Sequence, residues 1–314
     1  MSTALLFTGQ GSPAPGAGAP WRDRAEWSVV EEVAAATDID VARLLLDAPE
    51  DDLVDTANAQ LATFTFCLVV HRAVASSGLD DVTAAAGHSL GEYTALVAAG
   101  LLGAAEGARL VAARGAAMAR ACSLREGTMA AIIGLDLDAV ESACAQARGD
   151  GQEVWVANDN APGQVVVAGT PAGVEAAAAA AKELGARRPM PLKVAGAFHT
   201  PLMQPAQAAL DAALDAAASA GAFSEPQLQP WANCDAGRHD RPAEWRELLS
   251  SQLCSPVRWR EQILAMTGDG VDTFVEVGPG NVLSGTVKRI APDARRAAAA
   301  TPDEVEGLRA QLRG

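Results

Sequence analysis

The chain has 314 residues, nearly half of them apolar, with a formal net charge of −15. That length supports a sizeable core and either two domains or one domain carrying an insertion. The acidic balance argues against nucleic acid and anionic membranes as partners. Five scattered cysteines (Cys67, Cys122, Cys144, Cys234 and Cys254), never spaced as Cys-x-x-Cys, read as free thiols, with neither a metal cage nor a disulfide framework. No apolar run approaches the length that spans a bilayer. The N-terminal stretch lacks the basic region of a signal peptide, so a cytosolic location is expected.

Ala4-Leu5-Leu6-Phe7 reads as a short buried strand, ended by Thr8-Gly9-Gln10-Gly11-Ser12-Pro13 and a Pro/Gly/Ala-rich loop to Pro20. Helical patterns follow over 27–37, 40–46 and 57–77. A strand and turn over 82–89 come next, then helices over 92–99 and 104–122. From Gly127 the pattern changes: a strand at 128–134, a helix at 137–148, strands at 154–158 and 164–168 around Asn160-Ala161-Pro162-Gly163, a helix at 171–184 and a strand at 188–194. That order is the split βαβ, ferredoxin-like one. Residues 128–194 therefore read as a small inserted α+β domain, and 1–127 with 195–314 as a discontinuous large domain. Helices near 199–219 and 245–253 and a strong strand at 273–277, ending in Gly278-Pro279-Gly280, complete the chain. The fold class expected is α/β, with a large α/β-hydrolase-like domain, a mostly parallel sheet and the inserted ferredoxin-like domain.

The most informative stretch is Gly87-His88-Ser89-Leu90-Gly91, set between a small apolar strand and a helix. Two glycines permit a tight strand-to-helix turn that holds Ser89 on a strained elbow with its hydroxyl exposed. The helix N-terminus behind it offers N–H groups and positive dipole charge to a developing oxyanion. A serine capping a helix between turn glycines is the plainer alternative.

A serine hydroxyl needs a base, and the chain has four histidines. His71 lies in an apolar helical pattern, His88 points away from Ser89 if its strand continues, and His239 reads as exposed loop. His199, at a strand exit before Pro201, is the leading base by elimination. The acids between Ser89 and His199 that could complete a triad (Asp136, Asp138, Asp150 and Asp159) all fall in the inserted segment. A Ser–His dyad is favoured, its imidazole oriented by an amide or a backbone carbonyl.

Seven motifs in order now resemble one family. They are Gly9-Gln10-Gly11-Ser12; the elbow through Glu92 and Tyr93; Arg114-Gly115 with Met118; Asn158-x-Asn160-x-Pro162-Gly163-Gln164-Val165-Val166; Phe198-His199; Gln252-x-x-x-Pro256-Val257-x-Trp259; and Glu276-Val277-Gly278-Pro279-Gly280. Together they are similar to the malonyl-CoA:acyl carrier protein transacylases of fatty-acid and polyketide synthesis. The resemblance implies a malonyl transfer from malonyl-CoA to the phosphopantetheine thiol of an acyl carrier protein, through a serine acyl-enzyme in a ping-pong scheme. It implies Ser89 as nucleophile, His199 as base, Gln252 orienting His199, and the backbone N–H groups of Gln10 and Leu90 as the oxyanion hole.

On the residues alone Arg114 reads as a surface arginine laid along an apolar helix. The resemblance makes it the clamp on the malonyl carboxylate, through two parallel hydrogen bonds. Phe198, Asn158, Asn160 and Gln60 are implied at the substrate, and Phe198 as a steric reason for malonyl over methylmalonyl. Lys288 and Arg289, with Arg187 and Arg188, are implied to face an acidic carrier protein. Pro13 and Leu61 depart from the family pattern near where the CoA arm would enter. No metal and no permanently bound cofactor is expected. The nearest alternatives are a stand-alone acyltransferase serving a polyketide synthase or a malonate decarboxylase, and then a serine hydrolase or thioesterase. A non-catalytic scaffold that binds the carrier is the third.

Overall fold

In the computed structural model, which describes residues 2–9, 13–79 and 81–313, two sheets carry the chain. The first is built from β1 (Thr3–Phe7), β2 (Val82–Gly87), β7 (Gln229–Pro230), β8 (Thr273–Val277) and β9 (Arg295–Ala299), in the order β7-β2-β1-β8-β9. Every pairing in it is parallel. A parallel sheet is covered on both faces, which is why β1 is a continuous apolar run with all five residues buried. Side chains alternate between two cores: Leu5, Phe7, Val275 and Val277 enter the larger, Ala4, Leu6 and Phe274 the smaller. Each such Leu or Phe contributes roughly 1.5–3 kcal/mol by leaving water.

The helix Thr56–Ser76 fills the larger core, and Asp55 caps it by accepting from the N–H groups of Ala57 and Asn58. Its length and composition would suit a membrane span, but 78% of its apolar window is buried inside the protein, so here it is a core helix.

The second sheet contains β3 (Thr128–Ile133), β4 (Val154–Ala161), β5 (Gln164–Gly169) and β6 (Met190–Pro191) in the order β4-β5-β3-β6, all antiparallel. Ala130 and Ile132 point to the helices Leu137–Gly149 and Pro171–Glu183, while Met129 and Ala131 join the larger core. This is the split βαβ order, set on the main body through its helix-free face.

Three expectations need correction. The strand expected over 188–194 shrinks to Met190–Pro191, since Pro189 and Pro191 have no N–H to give a ladder; Leu192 and Val194 turn instead into the cavity described below. The strand expected to end at Asn158 runs on to Ala161. Four helices were not foreseen: Glu50–Val54, Trp259–Gly268, Val282–Ile290 and Pro302–Arg313. The five cysteines are all unpaired.

Candidate active site

Three neighbouring parallel strands end at one place. Thr8 and Gly9 follow β1, His88 and Ser89 follow β2, and Pro279 follows β8; all five line a cavity of about 330 Å³. Ligands in open parallel sheets gather at these carboxyl ends, where the strand order switches direction. The opposite wall comes from the second sheet and the loop before His199, with Met129, Asn158, Asn160, Val166, Leu192 and Phe198.

Ser89 sits at φ 53°, a left-handed conformation costly for a residue with a Cβ. The turn is too tight for any other residue at its two glycines. A Cβ on Gly87 would meet the Gly91 carbonyl carbon at 1.9 Å, and one on Gly91 would meet the Phe7 carbonyl oxygen at 2.1 Å. The helix Gly91–Ala98 starts at once, and the Leu90 N–H preceding it has no acceptor among the described residues. Gln10, the other expected oxyanion donor, lies outside the described residues.

Ser89 Oγ is 2.7 Å from His199 Nε2. His199 Nδ1 lies 2.9 Å from the main-chain carbonyl of Gln252, which can only accept, so the proton is on Nδ1 and Nε2 is free to take one from Ser89. His199 is 4% exposed. Burial first, and then the Arg114 charge, push its pKa down to about 3, so the ring is neutral at pH 7. The expected role of Gln252 is thereby refined: its carbonyl orients His199, while its side chain donates to the Ser89 carbonyl at 2.8 Å and accepts from Arg114 at 3.1 Å.

Arg114 is not the surface residue its neighbours suggested; it is 1% exposed. In the helix Ala104–Leu124 the buried positions include Gly107, Leu110, Val111, Arg114, Met118 and Ala121, one stripe at helical spacing with the arginine at its centre. Its Nη1 donates to Gln60 Oε1 at 2.6 Å, and its Nη2 to Ser89 Oγ and Gln252 Oε1, both at 3.1 Å. The Tyr93 ring lies 5.7 Å from its Cζ. No carboxylate comes within 4 Å of the guanidinium among the described residues, and Nε has no partner there. Gln60 is therefore placed differently from expectation. It is wholly buried, with its amide bonded to Arg114 and to Met118 Sδ, so it supports the arginine; the Gln60 and Arg114 side chains both lie behind the residues that line the cavity.

Two residues to which the sequence reading gave no role hold the elbow. Asn233, fully buried, accepts from the Ser89 N–H at 2.6 Å and donates to the Gly87 carbonyl at 2.7 Å and to Gln262 at 3.0 Å. Its own N–H donates to Glu92 Oε2 at 2.6 Å. Glu92 is wholly buried, and burial pushes its pKa up to about 8. An asparagine in a loop far along the chain carries no local signal for this role.

The second sheet is tied straight to the elbow. Asn160 Oδ1 is 2.8 Å from His88 Nε2, and the His88 ring packs edge-on against Trp259 at 5.6 Å. Asn158 lines the cavity, beside a main-chain bridge in which Asp159 N–H donates to Val257 and Val257 N–H donates to Ala157. Arg289, expected at a carrier protein, is exposed and donates to Gln164 Oε1 at 2.5 Å and to the Pro162 carbonyl at 2.6 Å, which straps the helix Val282–Ile290 to the hairpin. Lys288 is exposed with no ion pair among the described residues, and Arg187 and Arg188 are exposed beside the second sheet.

Residues 5–303 match the family model described as acyl transferase domain. A malonyl CoA-acyl carrier protein transacylase of Bacillus subtilis (strain 168) is 39% identical over 310 residues, covering 96% of this chain and 95% of the relative. One of Escherichia coli (strain K12) is 38% identical over 291 residues, 91% of this chain and 92% of the relative. Among solved structures, an acyl carrier protein S-malonyltransferase from Vibrio cholerae superposes with a TM-score of 0.92 at 36% identity, covering 98% of this chain and 100% of that one. A malonyl-transacylase solved in complex with its type II PKS acyl-carrier protein gives 0.91 at 34% identity, covering 100% of this chain and 99% of that one. The chain belongs to the acyl transferase domain family.

Proposed function

We propose that this chain moves a malonyl group from malonyl-CoA to the phosphopantetheine thiol of an acyl carrier protein, through an ester on Ser89. The observation that carries the reading is Arg114: a buried guanidinium without a carboxylate partner among the described residues, bonded to the serine that is bonded to the histidine. A buried charge left unpaired is costly. A malonyl carboxylate beside Ser89 would supply the missing counter-charge in the bidentate geometry that arginine suits.

In the first half-reaction the Ser89 hydroxyl proton passes to His199 Nε2 as Oγ bonds to the thioester carbon. The Leu90 N–H, with Gln10 as the second donor, receives the oxyanion; one such donor is worth about 2.7–4 kcal/mol in the transition state. The C–S bond then breaks and CoA sulfur takes the proton from His199. In the second half the carrier thiol gives its proton to His199, its sulfur bonds to the acyl carbon, and Ser89 leaves with the proton restored. The position a triad acid would hold on His199 Nδ1 is taken by the Gln252 carbonyl, which favours this transferase over a Ser-His-Asp hydrolase. Lys288, Arg289, Arg187 and Arg188 are exposed cations available to steer an acidic carrier despite the net charge.

Intact-protein mass after brief exposure to malonyl-CoA tests the nucleophile. Wild-type protein is expected to gain one malonyl group and Ser89→Ala none. A label that persists in Ser89→Ala would place the ester elsewhere.

A further inference from the structure

We propose that Arg114 gates the nucleophile as well as clamping the substrate: without a carboxylate its Nη2 rests on Ser89 Oγ, and a substrate carboxylate draws it away and offsets its charge. The inference rests on the reading of Ser89 as nucleophile and Arg114 as carboxylate partner. It adds that the carboxylate switches on the chemistry and does not merely improve binding.

Ser89 Oγ is shared. It lies 2.7 Å from His199 Nε2 and 3.1 Å from Arg114 Nη2, and the second contact occupies a lone pair of the atom that must attack. Once the Ser89 proton has moved to Nε2 and Oγ has bonded to the acyl carbon, which moves the negative charge to the carbonyl oxygen at the Leu90 N–H, an imidazolium and a guanidinium face one another across Oγ, in a site where both side chains are almost fully buried. Like charges so close and so dry oppose the proton transfer. The remaining groups relieve it only in part: an ionised Glu92 would attract the guanidinium, and burial opposes that ionised form. His88 is itself held neutral by burial, the Gln252 carbonyl is already taken by Nδ1–H, and Glu92, on the helix Gly91–Ala98, has its pKa pushed up to about 8. Tyr93, on the same helix, faces Arg114 as a neutral phenol. The Arg114 charge is the second cause, after burial, of the depressed His199 pKa.

A malonyl carboxylate would take the Nη2 hydrogen bond from Oγ and cancel that charge, so His199 becomes a stronger base only with a carboxylate-bearing acyl group in place. A neutral acyl group that reaches the same site finds a nucleophile still held by Arg114. Discrimination is then expected in the acylation rate and not in KM alone.

The test reads His199 directly, by 15N NMR titration of the imidazole in Ser89→Ala, which cannot consume the thioester. The His199 resonance is assigned by its loss in Ser89→Ala/His199→Gln. Saturating malonyl-CoA is expected to raise the titration midpoint by about one pH unit or more, a tenfold change in protonation, above that with acetyl-CoA, which matches the free protein. Coincident midpoints with both thioesters bound would overturn the gate. Malonyl-CoA binding no tighter than acetyl-CoA would instead overturn the reading on which it rests. A second measurement uses p-nitrophenyl acetate, a neutral ester. The acid limb of Ser89 acetylation is expected at higher pH in Arg114→Ala than in wild type, and superimposed limbs would contradict the gate.

Discussion

At the scale of single residues, Arg114 organises the site. Its guanidinium is 1% exposed and held only by neutral oxygens, an arrangement that favours a folded state still short of one anion. Arg114→Ala is expected to lower the preference for malonyl-CoA over acetyl-CoA by ~100-fold or more, about 3 kcal/mol. Competition between the two thioesters for Ser89 measures this directly, and an unchanged ratio would contradict the clamp. Asn233 makes a second residue-scale case, with a different signature. Asn233→Ala leaves the Ser89 N–H, the Gly87 carbonyl and Gln262 without their partner, at about 1–3 kcal/mol for each buried group left unpaired. Thermal unfolding is expected to show a loss of several degrees, with slower acylation and a thioester selectivity close to wild type. A variant as stable and as fast as wild type would remove Asn233 from the account.

At the scale of elements, the elbow depends on two backbones passing almost in contact. The Gly91 Cα faces the Phe7 carbonyl so closely that Gly91→Ala must part β1 from the helix Gly91–Ala98. A loss of about 4 kcal/mol or more is expected in denaturant unfolding, and a well-folded variant would show the turn to be looser than described.

This element was legible because its chemistry is local: glycine, serine and glycine between an apolar strand and a helix. Elements that are defined by their partners were not. Arg295–Ala299, two arginines and three alanines, has little β preference of its own and is a strand because β8 pairs with it. Asn233 reaches the elbow only through the fold. Arg114 was legible on its stripe, at three and four residues from Leu110, Val111 and Met118, but a cation there suggests solvent more readily than a core. The helix Val282–Ile290 shows the same periodicity, at Leu283, Thr286, Val287 and Ile290, and could have been read.

At the scale of the whole molecule, buried titratable groups shape the dependence of stability on pH. His71, His88 and His199 are all held below their ordinary value of 6.5, chiefly by burial, with His71 at about 4 and His199 at about 3. A depressed histidine binds its proton first in the unfolded chain, so each withdraws stability as pH falls from 6.5 toward its folded value. Glu92 acts in the opposite sense. It keeps its proton in the fold while the unfolded chain gives one up above 4.5, so stability falls as pH rises from 4.5 to about 8. The melting temperature is expected to drop steeply below pH 4.5, where Glu92 no longer opposes the histidines, and more gently above 6.5. Glu92→Gln is expected to flatten the upper limb. A melting temperature unchanged between pH 4.5 and 3 would contradict the neutral state of these rings.

The same whole-molecule view makes the second sheet part of the site, because its hairpin reaches His88 through Asn160 and the helix Val282–Ile290 through Arg289. All of these contacts serve one proposed event, a malonyl ester on Ser89 that passes to a carrier thiol. Its most direct test is intact-protein mass after malonyl-CoA, repeated after addition of a phosphopantetheinylated acyl carrier protein. One malonyl adduct that leaves the protein and appears on the carrier is the expected result. An adduct lost to water, with the carrier unlabelled, would contradict the transferase.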